Sequence, residues 1–132
     1  MSRRISEKAA EIRRYLRELA AIRPQSLDEY LSDLKAKAAC ERYMEKITEA
    51  AADLALLVIR ERSLRLPEND KESFDVLAQA GIIPQELAHQ LKEAKGMRNV
   101  IAHQYGRDTL LFRAVAEELP HDIRQFLQAV TA

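Results

Sequence analysis

The sequence predicts an all-α protein, an up-and-down bundle of four main helices plus a short one. Three observations carry this. Apolar residues recur at steps of three and four along most of the chain, as on one helix face, and no stretch alternates with the period of two that marks a half-buried strand. Glycine and proline are scarce, at 3 and 4 of 132 residues, so few positions interrupt a helix. Most of them, Pro24, Pro67, Gly81, Pro84 and Gly106, stand between the periodic runs, where helices stop and start.

The first run, Arg3 to Ile22, carries Ile5, Ala9, Ile12, Leu16 and Leu19 as one stripe. Arg13, Arg14, Arg17 and Glu18 fall off it and belong in solvent, and Pro24 ends the helix. Ser26-Leu27-Asp28-Glu29 has the capping-box pattern, with Ser26 as N-cap and Glu29 reaching back. A long helical stretch follows to about Leu64, with Ser32-Asp33 offering a cap for a fresh start. Its apolar face widens from Leu54 to Ile59, which suits the middle of a bundle or a subunit contact. Pro67 to Asp70 reads as a loop, Ser73 to Ala80 as a short helix with Phe74 and Leu77 inward, and Gly81 as its C-terminal cap. Pro84 suits a first helical position, and the helix after it buries Leu87, Leu91, Ala94 and Ile101. Gly106 is the natural stop. Asp108 or Thr109 caps the last helix, whose register from Phe112 to Val130 runs through Pro120, as in one kinked helix.

Composition bounds the function. A chain of 132 residues, 47% hydrophobic and 32% charged, is long enough for one folded domain spanning 1–132 and is unlike a disordered one. Its net charge of zero gives no global field to attract nucleic acid, so any RNA contact must come from a local patch or from one formed by association. The one cysteine, Cys40, excludes an internal disulfide and reads as a small core residue. No apolar run reaches the ~18 residues of a membrane span, and no secretory pattern follows the N-terminal arginines, so the expected location is cytoplasmic, away from membrane.

The chemistry concentrates in Met97-Arg98-Asn99-Val100-Ile101-Ala102-His103-Gln104-Tyr105, where a guanidinium, a carboxamide, an imidazole and a phenol interrupt small apolar residues. These types suit metal-free cleavage of an RNA phosphodiester. His103, with an ordinary pKa near ~6.5, can act as base on the 2′-hydroxyl or as acid on the leaving 5′-oxygen. Arg98 can fork onto the crowded phosphate, and Asn99, one turn before His103, can orient the imidazole or donate to phosphate. In a straight helix Arg98 and His103 project roughly 140° apart, so either the helix unwinds near His103 or a two-fold-related copy completes the pocket. The same residues also have structural readings: His103 as a cap of helix-end carbonyls, Tyr105 as an amphipathic rim residue. Glu41, Glu45, Glu49 and Asp53 form an acidic row that is either a solvated face or an approach to the motif. His89 and His121 read as solvated without partners. No Cys/His ligand set, glycine-rich phosphate loop or paired-carboxylate motif is present, so no metal site and no cofactor are expected.

Arg98-Asn99-Val100-Ile101-Ala102-His103-Gln104-Tyr105 resembles the Arg-x4-His-x-Tyr signature of HEPN domains, and specifically the HepT-like toxins of type VII HEPN/MNT toxin–antitoxin pairs. The likeness extends to Cys40 through Ala55, similar to the family's long second helix, and to Phe74 through Pro84, similar to the short helix and turn before the motif helix. Gly96 departs from the pattern, where a large residue is usual. The resemblance implies a homodimer with motifs facing across a cleft, and metal-independent ribonuclease activity with Arg98 and His103 catalytic. It also implies an MNT-type nucleotidyltransferase antitoxin as partner, which silences the toxin by transferring AMP to the motif tyrosine, here Tyr105. Two other classes stand beside this toxin endoribonuclease: a catalytically silent HEPN-like subunit presenting nucleotide or substrate to a nucleotidyltransferase, and a purely structural helical dimer. Intact Arg98 and His103 favour the enzyme.

Overall fold

The computed structural model describes residues 2–100 and 107–132, and at 98–100 the backbone alone. Helix α1, Arg3–Ile22, opens with Ser2 accepting from the Ile5 N–H at 3.2 Å, and its stripe of Ile5, Ala9, Ile12, Leu16 and Leu19 is buried as the spacing requires. Arg23 is extended ahead of Pro24, as the residue before a proline prefers. Helix α2, Leu27–Ser32, starts at Ser26, whose Oγ accepts from the Glu29 N–H at 3.2 Å. The Glu29 carboxylate reaches one residue further back than in a capping box, accepting from the Gln25 N–H at 3.1 Å. Asp33 ends α2 and caps α3, Leu34–Glu61, by accepting from the Ala36 N–H at 3.0 Å. The long stretch is therefore two helices.

Helix α3 is the axis of the bundle, with α1 antiparallel along one side and the later helices around the rest. Its buried residues, from Cys40 through Met44, Ile47, Ala51 and Leu54 to Val58 and Ile59, extend around most of its circumference. The breadth of the Leu54–Ile59 face is thus used within the protomer, where Leu54, Ala55, Val58 and Ile59 are buried. Helix α3 ends at Ser63, which takes φ 54 so that its N–H reaches the Arg60 carbonyl and that of Leu64 reaches Ile59.

Helix α4, Asp70–Gln79, begins three residues earlier than the apolar pattern suggests, because Asn69 accepts from the Glu72 N–H at 2.9 Å and recruits Asp70 into the first turn. Gly81, at φ 77, closes it with the same pair of reversed bonds as Ser63, to Ala78 and Leu77. Helix α5, Gln85–Val100, starts one residue after Pro84, whose carbonyl accepts the Ala88 N–H, so the proline precedes the first turn. Ile101 and Gly106 lie outside the described residues.

The last run is continuous: α6, Arg107–Arg113, a π-helical turn, Ala114–Glu118, and α7, Leu119–Val130. Helix α6 already includes Asp108 and Thr109, so neither is the cap expected from the sequence. The kink before Pro120 takes the form of the π turn, in which the Leu119 N–H reaches five residues back to Ala114. Pro120 brings no N–H and a ring that crowds the preceding turn, and the wider turn absorbs both. Phe74 meets Phe126 edge-on at 5.9 Å and ties α4 to α7, while Tyr30 meets Phe112 at 5.3 Å and ties α2 to α6. Among the described residues there is no strand, and no helix is long and apolar enough to cross a membrane.

Candidate active site

Arg98 and Asn99 belong to the last turn of α5. Their side chains, and His103 and Tyr105 altogether, lie outside the described residues. Leu87 and Leu91 bury α5 against the core, Gly96 is buried within an unbroken helix, and Met97 packs on the core immediately before Arg98.

Two grooves flank this end of α5. The larger, about 450 Å³, has Glu41, Glu45 and Glu49 of α3 on one wall and Ala94 and Lys95 of α5 on the other. Three members of the acidic row therefore approach the motif helix. Asp53, the fourth, is exposed elsewhere, 3.9 Å from Lys8 Nζ. The smaller groove, about 300 Å³, sets Ala94 and Met97 against Ala114, Leu119 and Asp122. Asp122 is 8% exposed, and burial pushes its carboxyl above the ordinary range, helped by Glu118 and Glu86 and opposed by His121.

On the far side of the motif two ion pairs hold the start of α6 to the start of α3. Arg107 Nη2 lies 2.6 Å from Glu41 Oε1, and Lys37 Nζ donates to Asp108 Oδ2 at 2.7 Å. Both pairs are largely shielded from water, so they are screened less than surface pairs. Residues 98–106 are thus flanked in sequence by two anchors, Met97 packed against the core and Arg107-Asp108 held to α3. Beside the second anchor Tyr30 is fully buried, its hydroxyl has no partner among the described residues, and burial followed by the Glu41 charge holds the phenol in its neutral form.

The sequence pattern does not pick out Lys37 or Arg107, and marks Asp108 only as a candidate helix cap. Lys37 and Asp108 are 71 residues apart, and no periodicity within one helix reports a contact of that kind. Glu41 was visible only as one of a row. His89 is exposed as expected but has a partner, Glu93 Oε1, at 3.0 Å. His121 is exposed, and Cys40 is fully buried with its thiol pushed up by that burial. Among the described residues no three His, Cys, Asp or Glu side chains are arranged to hold a metal ion.

An mRNA nuclease HepT of Shewanella oneidensis is 31% identical over 90 residues, 67% of this chain and 68% of that protein. A tRNA nuclease HepT of Aphanizomenon flos-aquae is 33% identical over 94 residues, 71% of this chain and 64% of that protein. The structure of a tri-AMPylated Shewanella oneidensis HEPN toxin in complex with MNT antitoxin superposes with a TM-score of 0.86 at 25% identity, covering 99% of this chain and 98% of that one. The fold is therefore HEPN-like. The model of the family described as Ribonuclease HepT-like matches residues 5–130, and the chain belongs to that family.

Proposed function

We propose that the protein is the toxin endoribonuclease of a HEPN/MNT toxin–antitoxin pair, acting in the cytoplasm as a homodimer without a metal ion. The observation that carries this reading is the intact Arg98-x4-His103-x-Tyr105 motif, begun in the last turn of α5, in a chain that matches the ribonuclease family over residues 5–130. In this reading His103 takes the proton of a ribose 2′-hydroxyl, and the 2′-oxygen attacks the adjacent phosphorus. The 5′-oxygen leaves with a proton from water, to which the His103 imidazolium returns its own, giving a 2′,3′-cyclic phosphate and a 5′-hydroxyl. Arg98 offsets the charge of the phosphorane, and Asn99 orients the imidazole.

The partner in this reading is an MNT-type nucleotidyltransferase that transfers AMP from ATP to the Tyr105 phenol, releasing pyrophosphate. The added phosphate then competes with RNA for Arg98, and the adenosine blocks entry. The test is cleavage of end-labelled RNA in EDTA by wild type, Arg98→Ala and His103→Ala. Each variant is expected to lose ~10²–10⁴ in rate with its circular dichroism unchanged. Wild-type rates from either folded variant would remove the catalytic assignment. Tyr105→Phe is expected to cleave and to resist silencing by the nucleotidyltransferase with ATP and magnesium.

A further inference from the structure

Arg13 and Arg17 of α1 and Arg124 of α7 stand around one groove of about 510 Å³, floored by the buried Leu16 and Leu127. All three arginines are exposed, and none has a carboxylate three or four residues away on its own helix. No ion pair reaches any of them among the described residues, whereas neighbouring Arg14 pairs with Glu18 and Arg3 with Glu7. Arg13 and Arg17 are also a like-charge i, i+4 pair, which costs the free helix stability unless an anion lies between or beside them.

The other grooves differ in sign. The one beside the motif sets Glu41, Glu45 and Glu49 against Lys71 and Lys95. The one between α1 and α3 sets Glu7, Glu11 and Asp53 against Arg4, Lys8 and Arg60. In the α1/α7 groove every charged side chain among the described residues is a guanidinium.

We infer that the Arg13/Arg17/Arg124 groove is an anchoring site for the phosphodiester backbone of RNA, separate from the catalytic motif. The inference rests on the ribonuclease reading above. A chain of zero net charge has no long-range pull on a polyanion, and the groove beside the motif helix sets three glutamates against two lysines. Binding strength must then come from a local cationic site, and guanidinium forks match phosphate oxygens. Among the described residues the groove offers no aromatic platform, so it holds the strand without reading bases. It also shares α7 with the groove beside Met97. The first turn of α7 carries Asp122, which lines the groove beside Met97, and Arg124 to Gln128 follow within about 10 Å along the helix axis.

The test uses His103→Ala protein, which binds without cutting, and a fluorescein-labelled single-stranded RNA. Anisotropy is measured from about 50 to about 200 mM salt, a range over which three phosphate contacts change single-strand affinity roughly twenty-fold. The triple variant Arg13→Gln/Arg17→Gln/Arg124→Gln is compared with a control of equal charge change, Arg4→Gln/Arg60→Gln/Arg62→Gln, after circular dichroism shows both folded. The groove variant is expected to bind at least tenfold more weakly at low salt, with a salt slope shallower by about 2. The control is expected to stay close to the parent. Equal loss in both triples, or unchanged binding in the groove variant, overturns the inference. If the groove variant keeps RNA binding but loses a co-produced nucleotidyltransferase on gel filtration, the groove is a protein contact and the inference falls. Cleavage by the wild type is run alongside. Wild type that cuts while the groove variant binds normally leaves the ribonuclease reading standing and removes this one, and wild type that neither binds nor cuts RNA removes both.

Discussion

Asp122 is a carboxylate where a neutral side chain fits better. It lies in the first turn of α7, a place that usually favours acids, but α7 continues from the π turn, with Glu118 already helical and no side-chain cap. The free N–H groups that make a helix start attractive to anions are absent there. Burial dominates instead and raises the folded-state pKa above the unfolded value of about 3.9. The folded chain then holds that proton more tightly than the unfolded one. The stability so contributed is complete below the unfolded pKa and is lost as pH rises through the folded one. Asp122→Asn keeps the site neutral at every pH. Its thermal midpoint is expected above wild type at pH 7, with the gap closing as pH falls and gone near about pH 4. A variant less stable than wild type at pH 7 would mean that the carboxylate has a partner outweighing its desolvation.

At the scale of elements the break between α2 and α3 depends on one side chain. Asp33 leaves the helical conformation, with φ −107 and ψ 93, and its carboxylate satisfies an N–H that α3 would otherwise leave unpaired. Asp33→Ala is expected to lower unfolding free energy by about 1 kcal/mol in urea titration. No change would indicate that α2 and α3 fuse into one helix and recover the lost bond. Such breaks were legible in the sequence because caps are local: Ser26, Asp33 and Gly81 act within a few residues of where they stand. The stripe of α1 was legible because its period is imposed by one face of the core. The start of α4 lies outside its apolar pattern because Asn69, which follows Pro67 in a polar loop, acts as a cap. The π turn is not encoded as a pattern: Pro120 signals a disturbance, and the surrounding packing decides its form. At the site, the acidic row was visible, but the pairs Arg107–Glu41 and Lys37–Asp108 depend on how α6 docks on α3.

At the scale of the whole molecule, the anchors on either side of the motif frame the question of how Arg98 and His103 meet. Met97 packs against the core, and Arg107 and Asp108 are held to α3. If the helix simply continues, the two side chains point roughly 140° apart and cannot serve one phosphate from a single chain. A second copy related by a two-fold axis solves this, because each motif then faces its mate and each site takes Arg98 from one chain and His103 from the other. The breadth of α3 no longer argues for that contact, since it is buried within the protomer. Leu34, a turn before Lys37, and Leu110, next but one to Asp108, are exposed beside the motif's downstream anchor and offer apolar surface for a copy to cover. Mixing decides the matter. Arg98→Ala and His103→Ala proteins, each inactive alone, are combined, unfolded, refolded together and assayed on RNA. With composite sites, random pairing makes half the dimers mixed and leaves one intact site in each, so activity is expected to return to about a quarter of wild type. With each site built from one chain, every mixed dimer has two damaged sites and the mixture stays as inactive as its parts.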